Sequence, residues 1–478
     1  MKRHSKQQKN FRNDKKKNET VKVMNSNVYR IIFHFNELFR HDAIRKMFKF
    51  GLIDAMNIVI VLICSLFTHM IMLGSPSQVV FDEVYFGNFT QYYFQRRYFF
   101  DIHPPLGKLL LFLGAKVSGY KPNQVFSTIG ADLDKKEIAK LRFWPSFTGS
   151  LRAPLIYLTL RLLEINPQWG LVVSIFMSFD SALVVESRFV LIDAFLSFFA
   201  VLTMFMCAVV TRKPKRIYIV AILAGIAAGS CVSVKFTGAG VAITLVIVYF
   251  IYYPLFKAIA LSFVSAIFGF LVFFSSFLIH FMILTKPGPG CKYHRPGFCR
   301  KLKNNEIHPI SSTINLIKIM LSSNFAISVK HSFSSKWWQW PFMLGRGTYL
   351  WLGSGQIWCI GSPVVWLSST IGIILFVFLL IKWNIRPKIW ILFGYLISYL
   401  PFSLIKRVLW NYHYFIPLIY ALLALATCLN EFLPKAKILP IILITIVIAV
   451  YIIYFPIIYG KPITDSYFSK IMPDKWVY

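Results

Sequence analysis

Negative charge is what this chain has least of. Its 478 residues include 19 Asp and Glu against 52 Lys and Arg, and 15% of its residues are charged, where a soluble globular protein carries about 25%. With 56% hydrophobic residues, that shortage excludes an ordinary soluble protein, and no polar stretch is long enough to hold a core of its own. Internal repeats are absent. Paired C-x-x-C spacing is absent too: Cys291, His294 and Cys299 in "CKYHRPGFC" lack the pattern of a zinc site, and no metal is expected. No short apolar segment with a small-residue cleavage site opens the chain, so the first apolar run is read as an uncleaved anchor. Nucleic-acid recognition motifs are also missing, so the formal charge of +33 does not point to DNA or RNA.

What fills the sequence instead is a series of apolar runs of the length that crosses a hydrocarbon core of about 30 Å. Eleven are read as spans of an all-α polytopic membrane protein, near 54–73, 140–160, 168–184, 188–211, 217–232, 238–255, 258–284, 361–382, 389–404, 412–430 and 436–457. The shorter run at 106–118 follows two prolines and is expected to lie at the membrane interface, within a loop spanning 74–139. Residues 1–50 form a basic arm, expected to be cytosolic and partly disordered. The Lys/Arg-bearing short loops "RLLEINPQ", "RKPKR", "KWNIRPK" and "NEFLPKAK" fall on that same cytosolic side, as the positive-inside rule requires. An odd span count then leaves three lumenal segments: loop 74–139, loop 285–360 and the tail 458–478.

The cysteines divide along the same lines. Cys64, Cys207, Cys231 and Cys428 lie in apolar runs and read as small core residues. Cys291, Cys299 and Cys359 lie in or beside the largest hydrophilic loop, where three thiols allow one disulfide and one free cysteine.

The scarce acids are not spread evenly. Asp82, Glu83 and Asp101 crowd into "VVFDEVYFGNFTQYYFQRRYFFDIHPPLGK", residues 79–108, directly after the first span, with His103 in a His-Pro-Pro corner beside the third. Further charges fall inside or at the ends of spans: Arg142 and Arg152, Asp180, Glu186, Arg188 and Asp193, Lys235, Lys406, Arg407 and His413. An ionised group near the bilayer centre costs about 2.5–3.5 kcal/mol even on the forgiving insertion scale. Groups not snorkelling from span ends therefore have to pair in the bundle or line a wet cavity. Most lie toward the lumenal ends of their helices, which predicts one polar cavity roofed by the two long loops. Its mixture suits group transfer from a lipid phosphate. A carboxylate can take a proton from an attacking hydroxyl, while Arg, Lys and His hold the phosphate as it leaves. Buried ion pairs are the preferred reading for Arg152, Asp180, Arg188 and Asp193. For the aromatic run "YYFQRRYFF" it is an interfacial belt with two snorkelling arginines. The sequon Asn88-Phe89-Thr90 sits close to the membrane and is expected to be mostly unmodified.

In order along the chain, "FDEVYFGNF…YFFDIHPPLGKLLL", "LRFWPSFTGSLRAPLIYLTLRLL", "FDSALVVESRFVLIDAFLSFF", "AGSCVSVKFTG", "SSKWWQWPFMLGRGTYLW" and "YHYFIPLIY" resemble the protein O-mannosyltransferase family. The resemblance implies a GT-C type glycosyltransferase of the endoplasmic reticulum membrane. It would transfer mannose, with inversion, from dolichyl phosphate β-D-mannose to Ser or Thr of secretory polypeptides, with no cofactor besides the lipid-linked donor. It also implies Asp82 as catalytic base, Glu83 contacting the acceptor and ordering the loop, and a functional position for Asp101 beside His103. Arg142 would serve the donor phosphate or the cavity's structure, and Lys235, Arg407 and His413 are further donor-site residues. Family members work as homo- or heterodimers. The usual MIR β-trefoil domain has no room between 285 and 360, which puts acceptor recognition in doubt. Rival readings are another polyprenyl-phosphate-sugar transferase, a non-catalytic subunit of a dimer, and a transporter. A transporter would show repeats with broken helices in both halves.

Overall fold

The computed structural model describes residues 50–326, 331–382 and 386–477. The chain divides into a first unit, Met1–Leu52, and a second, Ile53–Tyr478, which holds everything that follows. The expected basic arm at 1–50 lies almost wholly outside the described residues.

Helices occupy all eleven expected positions, but not all are simple spans. The first is α1 (Leu52–Met70), followed by the short helices α2 (Glu83–Gln95) and α3 (Leu106–Val117). The run expected as one span at 140–160 is two helices, α4 (Lys135–Ser150) and α5 (Arg152–Leu162). Pro154 has no N–H to give the Ser150 carbonyl, so the ladder is interrupted where they meet. Asp134 caps α4, accepting from the backbone N–H groups of Lys136 and Glu137 at 2.9 Å each. The run at 168–184 is α6 (Pro167–Phe179) and α7 (Ser181–Ser187), bent by 54° at Asp180. Asp180 is extended there, and its carboxylate starts the second helix by accepting from Leu183 N.

Next come α8 (Asp193–Thr211), α9 (Ile217–Val234), α10 (Ala239–Tyr252) and α11 (Leu255–Ile283). A connecting region carries α12 (Phe298–Lys303), α13 (Pro309–Ala326) and a hairpin, β1 (Thr348–Leu352) with β2 (Gln356–Cys359). The strands are antiparallel, with Thr348 opposite Cys359 and Leu352 opposite Gln356. These two strands are all the described residues hold, so no trefoil occupies this segment. The chain ends through α14 (Pro363–Lys382), α15 (Trp390–Tyr399), α16 (Phe415–Phe432), α17 (Ile438–Tyr459) and the short α18 (Asp465–Ile471).

Among the described residues, seven helices are long and apolar enough to cross a membrane, or eight if α6 and α7 count as one span. Helices α10 and α15 are apolar but shorter. Helices α8 and α16 form the inner layer, with almost every side chain of α16 buried. Helices α1, α11 and α17 turn large apolar side chains outward, among them Phe67, Phe256, Phe263, Phe270, Ile441 and Ile452. Such an apolar exterior belongs against lipid.

Helices α9 and α11 meet at small residues. A Cβ on Gly225 or Gly229 would overlap the backbone of Ser265 or Gly269 on the facing helix, so only glycine permits this approach. Gly229→Leu is expected to force the pair apart and cost about 1–3 kcal/mol or more, read as a lower melting temperature of the detergent-purified protein.

The aromatic run at the end of α2 and just beyond it does not form a surface belt. Tyr93, Tyr98 and Phe99 are buried with Phe277 and Phe281 of α11 and Leu316 and Met320 of α13, while Arg96 and Arg97 stay exposed. Ten aromatic or aliphatic side chains gather there, and their burial outweighs any preference for the interface. Cys291 and Cys299 form a disulfide, and Cys359 is a buried free thiol on β2. Asn88 spends its amide within the fold, donating to Val84 O at 2.7 Å and Phe126 O at 2.8 Å.

Candidate active site

The acidic corner is held by a buried ion pair. Arg142 of α4 meets Glu83 through Nε–Oε1 at 2.8 Å and Nη2–Oε2 at 2.7 Å, with neither side chain exposed. The remaining guanidinium N–H groups go to the carbonyls of Leu73, Pro76 and Gln78. The carboxylate also accepts from Val80 N and Val190 N, both at 2.9 Å. Both groups are saturated. Of the two roles expected of each, this leaves Glu83 ordering the loop and Arg142 serving the cavity's structure: Glu83 has no oxygen free for an acceptor, and Arg142 has no N–H free for a phosphate. Together they tie the corner to α4 and to the turn before α8.

Fixing Glu83 leaves its neighbour free. Asp82 stands at the N-cap of α2, but its side chain caps nothing. Its carboxylate makes no hydrogen bond to any described residue, and the residue is half-buried. Phe81, just before it, has a left-handed backbone (φ 49°). It donates its N–H to Leu350 O of β1 at 3.0 Å and packs edge-on against Trp410 and Tyr412, at 5.9 and 6.2 Å. The corner is thereby pressed against the segment that carries Arg407 and His413. Burial pushes the Asp82 carboxyl up to about 7; Lys235 pulls it down, and Asp193 and Asp101 add to the rise.

Lys235, at the end of α9, bonds both oxygens of Asp193 at the start of α8, at 2.8 and 2.7 Å. Its ammonium also lies 5.4 Å from the Tyr412 ring centre. Asp193, Lys235, Tyr412 and His413 line one cavity with Ser398 and Phe402. His413 is sandwiched between Trp340 and Tyr412, and its Nδ1 lies 3.1 Å from Trp410 N and 3.0 Å from Trp410 O.

The His-Pro-Pro corner is organised by Lys108, a buried cation that the sequence reading passed over. It bonds Asp101 at 2.5 Å, His103 O at 2.7 Å and Pro104 O at 3.0 Å, using all three N–H groups. Its signal was there to read: a lone Lys in an apolar run, one turn after two prolines. Burial holds His103 well below its ordinary value, with Lys235, Lys108, Arg407 and His413 acting in the same direction.

Of the four residues read as buried ion pairs, only Asp193 has a charged partner within bonding distance. Asp180 accepts from Leu183 N, Ser362 N and Trp366 Nε1. Arg152 is met by Ser187, Ser197, His69 Nε2 and carbonyl oxygens. Arg188 is held by the carbonyls ending α1 and the Tyr459 ring at 4.1 Å. Hydroxyls, carbonyls, an imidazole nitrogen and a π-face meet these cations without a second buried charge to desolvate, and the buried Arg188 Nε has no partner among the described residues. Lys235, Asp193 and His413 thus share one cavity, Phe81 packs the Asp82 corner against Trp410 and Tyr412, Asp101 is tied to the His-Pro-Pro corner through Lys108, and Glu83 and Arg142 brace the acidic corner. Among the described residues, no three His, Cys, Asp or Glu side chains cluster to hold a metal.

Fold and site define a multi-pass helical membrane protein with buried carboxylates and cations gathered around one small cavity. Residues 59–287 match the family model described as dolichyl-phosphate-mannose-protein mannosyltransferase. Residues 309–477 match that of the C-terminal four-span region of protein O-mannosyltransferase. The chain belongs to the protein O-mannosyltransferase family. It is 39% identical to dolichyl-phosphate-mannose–protein mannosyltransferase 4 of Schizosaccharomyces pombe over 142 residues, 29% of this chain and 18% of that protein. To the enzyme numbered 4 of Candida albicans it is 30% identical over 254 residues, 49% of this chain and 34% of that protein. The chain thus covers about a third or less of these curated relatives. A chain of the Saccharomyces cerevisiae Pmt1–Pmt2 complex bound to the sugar donor shares the fold, with a TM-score of 0.81 at 18% identity, covering 90% of this chain and 93% of that one.

Proposed function

We propose that this chain transfers mannose from dolichyl phosphate β-D-mannose to Ser or Thr hydroxyls of secretory polypeptides. The observation that carries the reading is the Asp82 carboxyl: bonded to no described residue, half-buried, and titrating near neutrality, with the Lys235 ammonium near enough to pull it down. In the proposed step, an Asp82 oxygen takes the proton of the acceptor hydroxyl as that oxygen attacks the anomeric carbon. The bond from that carbon to the phosphate oxygen breaks, its electron pair leaves with dolichyl phosphate, and the β-linkage becomes α. The leaving group is already an anion, so it needs counter-charge, not a proton. Lys235 and Arg407 supply it, and His413 and His103 offer hydrogen bonds beside them. No resident cofactor takes part.

Relatives bearing the mannosyltransferase name support the reaction class, and the solved complex holds a sugar donor. On this reading the protein resides in the endoplasmic reticulum membrane, N-terminus cytosolic and C-terminus lumenal, and works as a dimer with itself or a relative. The test is a microsome assay with labelled dolichyl phosphate mannose and a Ser/Thr-rich peptide. Labelled peptide is expected. Label confined to lipid, or no transfer with or without a co-expressed relative, would overturn the reading.

A further inference from the structure

We propose that Asn324 is the positioning residue for Arg407, the side chain that holds this guanidinium over the candidate site. Asn324 lies on α13, near its end. Its Oδ1 accepts from Arg407 Nη1 at 2.9 Å. Its Nδ2 donates to the carbonyl of Ile102 at 2.8 Å and to that of Met320 at 2.9 Å. One amide thus joins three pieces of chain: the segment before α16, the residue preceding His103, and α13 itself. The orientation of the amide follows from its partners. A guanidinium can only donate and a carbonyl can only accept, so the oxygen must face Arg407 and the nitrogen the carbonyls.

Among the described residues, Asn324 is the only hydrogen-bond partner of the Arg407 guanidinium, whose other N–H groups remain for an anionic ligand. A long side chain fixed at one nitrogen loses less freedom when it binds that ligand. The support behind Asn324 is rigid. Leu316 and Met320 of the same helix are buried against Tyr93, Tyr98 and Phe99, and Asn315 reaches His294 at 3.4 Å. No other small side chain fits all three bonds. Asp would keep the guanidinium but repel two carbonyls and cancel the cation. Leu would release both sides.

The proposal rests on the mannosyltransferase reading, and the experiment separates the two. Steady-state transfer is measured on the full-length protein in microsomes, varying dolichyl phosphate mannose at saturating peptide. No transfer by the unaltered protein counts against the reaction. With transfer established, Asn324→Leu is expected to raise the donor KM about tenfold, the size of one hydrogen bond to a charged group, with kcat changed less than about twofold. Asn324→Asp is expected to raise it further, because it neutralises the cation. In an Arg407→Gln background, Asn324→Leu should add nothing, since the group it positions is gone. A donor KM unchanged in Asn324→Leu, or raised by the same factor with and without Arg407, would overturn the proposal. If Asn324→Leu does not fold, the isosteric Asn324→Asp carries the test, and an unchanged donor KM there overturns it equally.

Discussion

Asp82→Asn is expected to lower the turnover of mannosyl transfer by about 10²–10⁴-fold, the range for losing a positioned general base, while leaving the protein at least as stable at neutral pH. The two halves follow from one fact. Burial raises this carboxyl to about 7, whereas in an unfolded chain it would titrate at about 4. Between those values the folded state keeps a proton that the unfolded state has released. Stability contributed by Asp82 is thus fully present below the unfolded value and falls away as pH rises through about 7. Asn removes that fall, and it leaves the Glu83–Arg142 pair untouched. Activity should run the other way, because only the ionised form accepts a proton: transfer by the unaltered protein should climb with pH through about 7 and then level. The checks are a pH–rate profile on microsomes and thermal melts of both proteins across the same range. Normal turnover in the folded Asn variant would remove Asp82 as the base.

Where the helices fall was legible, because apolar runs of span length have few other solutions. How many cross as single rods was not. That depends on Pro154 and Asp180, single residues whose effect comes from a missing N–H and from a carboxylate engaged by Ser362 and Trp366, far along the chain. The clustering of charge was legible from cost alone, since acids this scarce would not gather at a span end without partners. Which partner each found was not. Composition cannot distinguish a guanidinium saturated by a carboxylate and carbonyls, as Arg142 is, from one bonded to a single described side chain, as Arg407 is. Nor does it reveal that Lys108 spends all its donors on the corner. Tyr93, Tyr98 and Phe99 misled for a related reason. An aromatic run beside a span suits the interface, until a later helix such as α13 covers it.

Arg142→Met is expected to produce the largest loss of stability, about 3–5 kcal/mol, the range for removing one partner of a buried ion pair. It leaves the Glu83 carboxylate charged and buried, and deprives the carbonyls of Leu73, Pro76 and Gln78 of their donor. Glu83→Gln should cost less, because the guanidinium keeps those three carbonyls and the amide can still accept one of its N–H groups. The double variant should lose less than the sum of the two, because no unpaired charge remains, and the shortfall measures the coupling. Thermal melts of the four purified proteins give that cycle. Activity should fall with stability in Arg142→Met, since the pair fixes the turn from which Asp82 projects. If Arg142→Met instead melted like the unaltered protein and raised only the donor KM, the guanidinium would have to be free to meet a phosphate. Glu83 would then regain an open oxygen, and the corner would need another brace to keep Asp82 in place.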